Sequence, residues 1–351
     1  MENRSGIISL SFPFAAGVTA AAIAAQPFHT AVSASTAAAL LLIWCAALSN
    51  RSTVPLMLLF FCLGAVCWCN SALCPPPERH FPSGPMDNLT RLLDGIPFEG
   101  EHSGAIIKAL LTGRRDSLPR ETVTAFRKSG AAHILALSGL HLGVIYVCIR
   151  RALSPVGNSP AARSIRSLVT IALCGLYAGA TGASPSITRA FLFICINEIA
   201  GSLSARARSP IGTLCIALTL HLAVRPDQIS SVGFQLSYLA LLGITLLYPK
   251  LESWYPESGR RDPLRAIWKS AALSVSCQVF TAPVVWARFH SFPLFFLITN
   301  LIALPLAELT IITAVAAVVL EAVCGCPPAL AWACGKLAST MEFCLDTIAG
   351  L

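Results

Sequence analysis

Apolar residues run in uninterrupted blocks along this chain instead of returning every third or fourth position. An amphipathic helix of a soluble core shows polar positions within each turn, and these blocks do not. Blocks of roughly 16–20 apolar residues match what one bilayer crossing requires. The pattern predicts spans at 8–25, 33–49, 54–72, 131–149, 167–182, 186–203, 209–224, 231–248, 270–287, 292–320 and 327–350. The block 292–320 exceeds one crossing and contains Pro305, which predicts either a kinked span or a broken, re-entrant pair. The expected fold is an all-α polytopic membrane protein with about 10–11 transmembrane helices, including Pro- and Gly-broken segments.

Two stretches interrupt the pattern. Residues 73–130 are Pro-rich at Pro75–Pro77, polar through Asn88, and then amphipathic over Ala105–Lys128; residues 249–269 carry Lys250, Arg260, Arg261, Arg265 and Lys269. The chain thus divides into three N-terminal spans (1–72), an extracytoplasmic linker with a basic amphipathic segment (73–130) and a membrane domain (131–351). The first apolar block is expected to be a retained span rather than a cleaved signal peptide. One Arg and one Glu precede it, and two further apolar blocks follow closely.

Composition agrees with the pattern. Hydrophobic residues make up 55% and charged residues 12%, about half the charged share of a soluble domain. The net charge of +8 fits either nucleic-acid binding or the enrichment of Lys and Arg in cytoplasmic loops, so position must separate the two. The basic loops 150–166 (Arg150, Arg151, Arg163, Arg166), 204–208 (Arg206, Arg208) and 249–269 are separated by pairs of spans and share one side. That side is expected to be the cytoplasm. Counting back puts 73–130 outside and the N-terminus, with Arg4 and Arg51, inside. The outside segment then breaks the rule with Arg114, Arg115, Arg120, Arg127 and Lys128, against Asp116 and Glu121. It reads either as an interfacial helix meeting anionic headgroups or as a basic entrance that attracts a polyanion.

Of the 14 cysteines, Cys62, Cys148, Cys174, Cys195, Cys215 and Cys277 lie inside apolar blocks and read as small hydrophobes. Cys69 and Cys74 sit where an oxidising compartment would permit a disulfide. Cys324-Gly-Cys326 lacks the second pair a zinc site requires. No metal or cofactor is expected.

Ionisable or strongly polar groups at bilayer depth are costly and usually face a cavity or a partner. Five clusters qualify. In His133–Gly143, His133 and His141 lie about 80° apart on a helix, with Ser138 on the same flank. That face either packs against another helix or lines a pore. In Gly182–Arg189, Ser184-Pro185 opens a helix that carries Ser186 and Arg189. Free N–H groups and Arg189 there would suit an anion. Glu198 falls on the opposite face, about 900° further round. Arg189 therefore needs either a carboxylate, such as Glu308, or a substrate phosphate. Gln235 with Ser237, Gln278 with Thr281 and Pro283, and Asn300 with Pro305 and Glu308 complete the set. These residues either bridge helices or supply a polar pathway. Ser138 and His141 share one helical turn, unlike an intramembrane protease whose two groups come from different helices. No phosphate-binding loop or dinucleotide fingerprint occurs, and no enzymatic activity is expected.

Taken in order, four elements resemble the ComEC-type competence family. They are HILALSGLHLG at His133–Gly143, SPSITRA at Ser184–Ala190, GFQLSYLALLG at Gly233–Gly243 with Pro226 before it, and the Gln278–Pro283, Asn300–Pro305 features. Ala109–Arg114 and Phe126–Gly130 fit the lead-in, and the resemblance covers roughly residues 103–350. It implies a bacterial inner-membrane channel that imports single-stranded DNA during natural transformation. It also implies an outer DNA receptor and a cytoplasmic helicase-like motor as partners, beside membrane lipid. The implied pathway residues are His133, Ser138, His141, Ser184, Ser186, Arg189, Gln235, Ser237, Gln278, Asn300 and Glu308. Longer members carry an OB-like domain, for which residues 73–102 are too few, and many end in a metallo-hydrolase-like domain. A nuclease role is therefore not carried over. The alternative is a secondary transporter for a small anion that uses Arg189 and broken helices.

Overall fold

A computed structural model of the chain describes residues 3–24, 53–73, 84–157, 159–203, 209–256, 262–290 and 295–350. The expected span 33–49 lies outside the described residues, as do Arg51, Cys74, Pro75–Pro77, Arg206, Arg208, Arg260 and Arg261. Every regular element described is helical, and no strand occurs among the described residues.

The helices are α1 Asn3–Ala24, α2 Thr53–Leu73, α3 Gly84–Gly95, α4 Ser103–Thr112, α5 Arg120–Lys128, α6 Ala132–Leu135, α7 Gly139–Ala152, α8 Pro160–Ala180, α9 Pro185–Leu203, α10 Pro210–Val224, α11 Val232–Leu246, α12 Tyr248–Glu252, α13 Pro263–Phe289, α14 Phe296–Val323 and α15 Pro328–Ala349. Several starts follow directly from sequence. Ser159 and Ser209 each precede Pro and accept from the N–H of Ala162 (3.2 Å) and Gly212 (3.1 Å). Asp262 precedes Pro263 and accepts from Leu264 (3.0 Å). A capping side chain satisfies one orphan donor, and Pro at the first position forfeits a donor the helix cannot use.

The protein is an all-α membrane protein. Its helices are built inside out relative to a soluble bundle. On α8 the buried face is Ala162, Arg166, Ser167, Thr170, Cys174 and Ala178, while Ile165, Leu168, Leu173 and Leu176 point outward. On α14 the buried stripe is Thr299, Ala303, Ala307, Thr310, Ala314 and Ala317, with Ile298, Ile302, Leu309, Ile312, Val319 and Val323 outside. Small and hydroxylated residues between helices, with large aliphatics outward, are what lipid selects, because apolar surface gains nothing by leaving a hydrocarbon solvent. The α13 and α14 helices, of 27 and 28 residues, are long and apolar enough to cross a membrane. At 1.5 Å per residue each is about 40 Å long, against a hydrocarbon core of ~30 Å.

Packing among the described residues forms three larger groups and a small one around Ile96, Ala317 and Ala331. The first unites α3–α6 with α14 and α15 around Ile106, Leu110, Phe126, Ile311 and Met341. The second joins α1, α2, α10 and α11 around Phe14, Val18, Leu222 and Phe234. The third is α7, α8 and α9 around Leu142, Cys174 and Ile187. The seam of α1 and α2 is closest at Gly17 and Gly64, where a Cβ would collide with the carbonyl oxygens of Phe61 and Phe14 respectively. Two glycines thus bring the helix axes together.

Two expectations require correction, and a third is narrowed. The apolar block 131–149 is not one span: helix stops at Leu135, Ala136–Ser138 is non-helical, and α7 starts at Gly139. The 80° face shared by His133 and His141 therefore does not exist. The amphipathic segment Ala105–Lys128 is two helices, α4 and α5, separated by Gly113–Pro119. Helix α4 is a core element, with Ile106, Ile107 and Leu110 buried. Of the two readings of 292–320, the broken, re-entrant pair is excluded, because α14 runs through Pro305 as one helix. Its stripe of Ala303, Ala307 and Ala314 is locked against α4 and α15, and this packing offsets the one backbone hydrogen bond that Pro forfeits.

Candidate functional site

The break before α7 is fixed by a cap. Ser138 is extended (φ −116°, ψ 170°), and its Oγ accepts from the N–H of Leu140 (3.3 Å). The Ser138 N–H in turn donates to His141 Nδ1 (3.1 Å), and the Ser138 hydroxyl lies 2.9 Å from the same nitrogen. This is a capping box with His in the place usually held by Glu or Gln. Because Nδ1 accepts from a backbone N–H, the ring proton resides on Nε2. That atom is buried and has no hydrogen-bond partner among the described residues.

The turn before α9 is equally defined. Gly182 (φ 79°) and Ala183 (φ 47°) both adopt the left-handed region. Such a conformation is strained for Ala and persists only where the surroundings hold it. Here the Ala183 N–H donates to Ala178 O (2.9 Å), and its carbonyl accepts from Thr188 Oγ1 (3.0 Å). Ser184 then caps α9: Oγ accepts from Ile187 N (3.4 Å) and the carbonyl from Thr188 N (2.9 Å). The first turns of α9 carry Ser186 and Arg189.

These elements meet around Arg189, which is 8% exposed. Its guanidinium lies over the Tyr238 ring of α11, 5.8 Å from the centroid. One nitrogen, Nη2, makes a long contact to Ser186 Oγ (3.5 Å), and Ser186 Oγ is 3.0 Å from Ser237 Oγ. The other, Nη1, is buried without a hydrogen-bond partner among the described residues. The Tyr238 hydroxyl reaches His221 Nδ1 of α10 (3.3 Å), and His221 packs edge-on against Phe234 (5.1 Å). Gly139, the first residue of α7, completes the site: a Cβ there would stand 3.3 Å from Arg189 Nη2 and 3.4 Å from Ala190 Cβ. A buried cation thus lies beside a helix start, with no carboxylate paired to it among the described residues.

Glu198 lies on the far face of α9, as expected. It accepts from Ser167 Oγ (2.6 Å) and Tyr146 OH (2.8 Å) and pairs with Arg150 (3.5 Å). Glu308 is no partner for Arg189: it is exposed on α14 and in no ion pair among the described residues. Of the two partners left open for Arg189, the Glu308 carboxylate is thereby excluded.

The other expected residues scatter. Gln235 closes the turn before α11 by donating to Ile229 O (2.9 Å). His133 is exposed and donates to Gly130 O (3.1 Å). Gln278 Nε2 and Asn300 Oδ1 are each buried without a partner among the described residues. They sit on the adjacent helices α13 and α14. The basic residues Arg114, Arg115, Arg120, Arg127 and Lys128 are all exposed. Arg114 pairs with Asp87 (2.7 Å), Arg115 donates to Leu135 O (3.2 Å), and Arg120 and Lys128 border a shallow depression with Glu121 and Asp346. Sequence reasoning left Tyr238 and His221 out of the site. The adjoining Ser237 and the polar atoms of both side chains within apolar helices were the available signal.

A family profile described as Competence protein matches residues 110–351. The chain is 28% identical over 209 residues to ComE operon protein 3 of Bacillus subtilis (strain 168), a match covering 58% of this chain and 24% of that protein. It is also 28% identical over 208 residues to the uncharacterized protein YcaI of Escherichia coli (strain K12), covering 58% and 27%. The chain therefore spans about a quarter of the length of the curated relatives it matches. No solved structure matches significantly. The profile covers α5 through α15 and with them every group around Arg189, so the chain belongs to the competence protein family.

Proposed function

We propose that this chain forms a channel that moves single-stranded DNA across the bacterial cytoplasmic membrane during natural transformation. Family membership supports the process, and the buried Arg189, without a paired carboxylate among the described residues, is the observation that carries the mechanism. A cation buried without a counter-ion is costly in any protein. It is retained where a passing anion supplies the missing charge. A DNA strand presents one phosphate per nucleotide, and contacts to phosphate carry no sequence preference.

In this reading the exposed Arg114, Arg115, Arg120, Arg127 and Lys128 raise the local concentration of the strand at the outer face. Ser138, His141, Ser184, Ser186, Ser237, Gln235, Gln278 and Asn300 contribute hydrogen-bonding groups or hold the helices that do. The chain crosses the membrane several times with its N-terminus in the cytoplasm. It receives DNA from an outer receptor and passes it to a helicase-like motor, and it performs no bond chemistry itself.

The test is transformation frequency in a strain lacking the gene, complemented with the intact chain or with Arg189→Ala. The intact chain restores transformation. Arg189→Ala reaches the membrane at the same level and transforms about 10- to 100-fold less, as expected for one lost charge-assisted contact. Undiminished transformation in that variant removes Arg189 from the route. Loss of transformation by both, with DNA still bound at the cell surface, transfers the reading to a small anion as the substrate.

A further inference from the structure

We propose that His221 is a positioning residue for Arg189: through the Tyr238 hydroxyl it fixes the ring on which the guanidinium rests. The proposal deepens the reading above and rests on it only where transformation is the readout.

The contacts begin at a donor that needs an acceptor. Tyr238 is 9% exposed, and a buried phenol O–H must find a partner. Among the described residues its hydroxyl has one contact of hydrogen-bond length, to His221 Nδ1 at 3.3 Å. The hydroxyl therefore donates, and Nδ1 accepts as the unprotonated nitrogen of a neutral imidazole. His221 itself is 3% exposed. The Phe234 ring centroid stands 5.1 Å from that of His221 and 4.6 Å from that of Tyr238, and the His221 and Tyr238 centroids are 6.0 Å apart. Three rings thus form one closed cluster that joins the last turn of α10 to the first two turns of α11. Phe14 and Val18 of α1 belong to the same core group.

A tyrosine side chain has two rotatable bonds, and a hydrogen bond at its far end selects one rotamer. That rotamer puts the ring face against Arg189, with Cζ 5.8 Å from the centroid. The preceding residue, Ser237, ties the same turn of α11 to α9 through Ser186 (3.0 Å). A ring face holds a cation without accepting any N–H. A carboxylate in its place would engage two donors of the guanidinium fork. The aromatic seat therefore retains Arg189 inside the protein and leaves Nη1 without an acceptor among the described residues. Transient contact with passing phosphates requires that state. Donation by the hydroxyl to His221 also polarises the phenol toward greater electron density, which strengthens the attraction of its face for the cation.

The experiment compares His221→Leu, which keeps the bulk and removes the acceptor, with His221→Asn, whose Oδ1 can stand in for Nδ1. Each purified full chain in detergent is treated with phenylglyoxal, which adds to guanidinium groups, and modification of Arg189 is followed by mass spectrometry of its peptide. His221→Leu raises the rate at Arg189 at least about threefold, as expected for one lost hydrogen bond, and lowers transformation by a similar factor. His221→Asn stays near the unaltered chain in both. Tyr238→Phe keeps the ring, loses the hydroxyl and reproduces the rise, which also serves if His221→Leu fails to fold. Adding His221→Leu to Tyr238→Phe changes nothing further, because both act through one contact. The reverse order, with Leu near the unaltered chain and Asn impaired, makes His221 a packing residue and overturns the proposal. So does an unchanged rate at Arg189 in folded Tyr238→Phe. Normal transformation by Arg189→Ala, with the rate at Arg189 still set by His221, retains the positioning role and loses the DNA route. Arg189-dependent transformation, with that rate indifferent to His221 and to the Tyr238 hydroxyl, has the opposite meaning.

Discussion

Two polar residues on one helix, Arg189 and Glu198, are buried to a similar degree and answer to opposite accounts. Glu198 is satisfied by Ser167, Tyr146 and Arg150, so its removal strands two hydroxyls and a cation. Glu198→Ala is expected to lower stability by about 1–3 kcal/mol, the cost of leaving buried donors unmet, read as a lower thermal midpoint in detergent. Arg189→Ala removes only a long contact to Ser186 Oγ, which keeps Ser237 as a partner, and is expected to change that midpoint little while sharply reducing transformation. A large drop in midpoint for Arg189→Ala would show it to be a packing residue. Ser138→Ala removes the α7 cap and is expected to cost about 1 kcal/mol, with Ser138→Asn restoring most of it. The separation of Arg189 from Glu198 was legible from helical periodicity alone. The aromatic seat on Tyr238 was not, because a neutral ring in an apolar helix carries no mark of its partner. Glu308 misled because sequence reveals depth along a helix but not which face meets lipid.

At the scale of helices, hydropathy located apolar segments well and their interruptions poorly. The block 131–149 is apolar on average despite His133, Ser138 and His141, so its mean hydropathy does not mark the stop at Leu135. The mark is chemical: Ser138, Gly139 and His141 form a cap with an unusual third residue. Pro305 left two readings open, and the single span holds, since a residue that breaks isolated helices is tolerated where neighbours hold both flanks. The inside-out packing of α14 makes a paired prediction. Ala307, fully buried, faces α4 and α15, and Ala307→Leu is expected to cost about 1–3 kcal/mol by overpacking. Ile312, 42% exposed, faces outward, and Ile312→Ala is expected to change the midpoint little. Equal effects at the two positions would contradict the assignment of faces.

For the molecule as a whole, the ends of distant segments constrain one another. Thr122 of α5 donates to Glu342 of α15 (2.7 Å), and Thr299 at the start of α14 donates to Ser129 O (2.7 Å). Whichever side of the membrane holds the basic segment therefore also holds the start of α14 and the end of α15. Basic loops predict that side to be extracytoplasmic. Alkaline phosphatase fused after Lys128 or after Gly350 is expected to be active, and fused after Gly157 inactive. Activity at Gly157 with none at the other two positions would invert the topology, and a split between Lys128 and Gly350 would contradict the packing.

The seat of Arg189 on Tyr238 also has a consequence for biogenesis. Gly139 precedes Arg189 in the chain, but Tyr238 follows it by about 50 residues, which a ribosome adds at ~5–20 per second. On the multi-span reading proposed above, α9 enters the bilayer for several seconds of synthesis bearing a guanidinium that has no aromatic ring to rest on. Its position in the second turn of the helix lets the side chain reach toward the headgroups until α11 arrives.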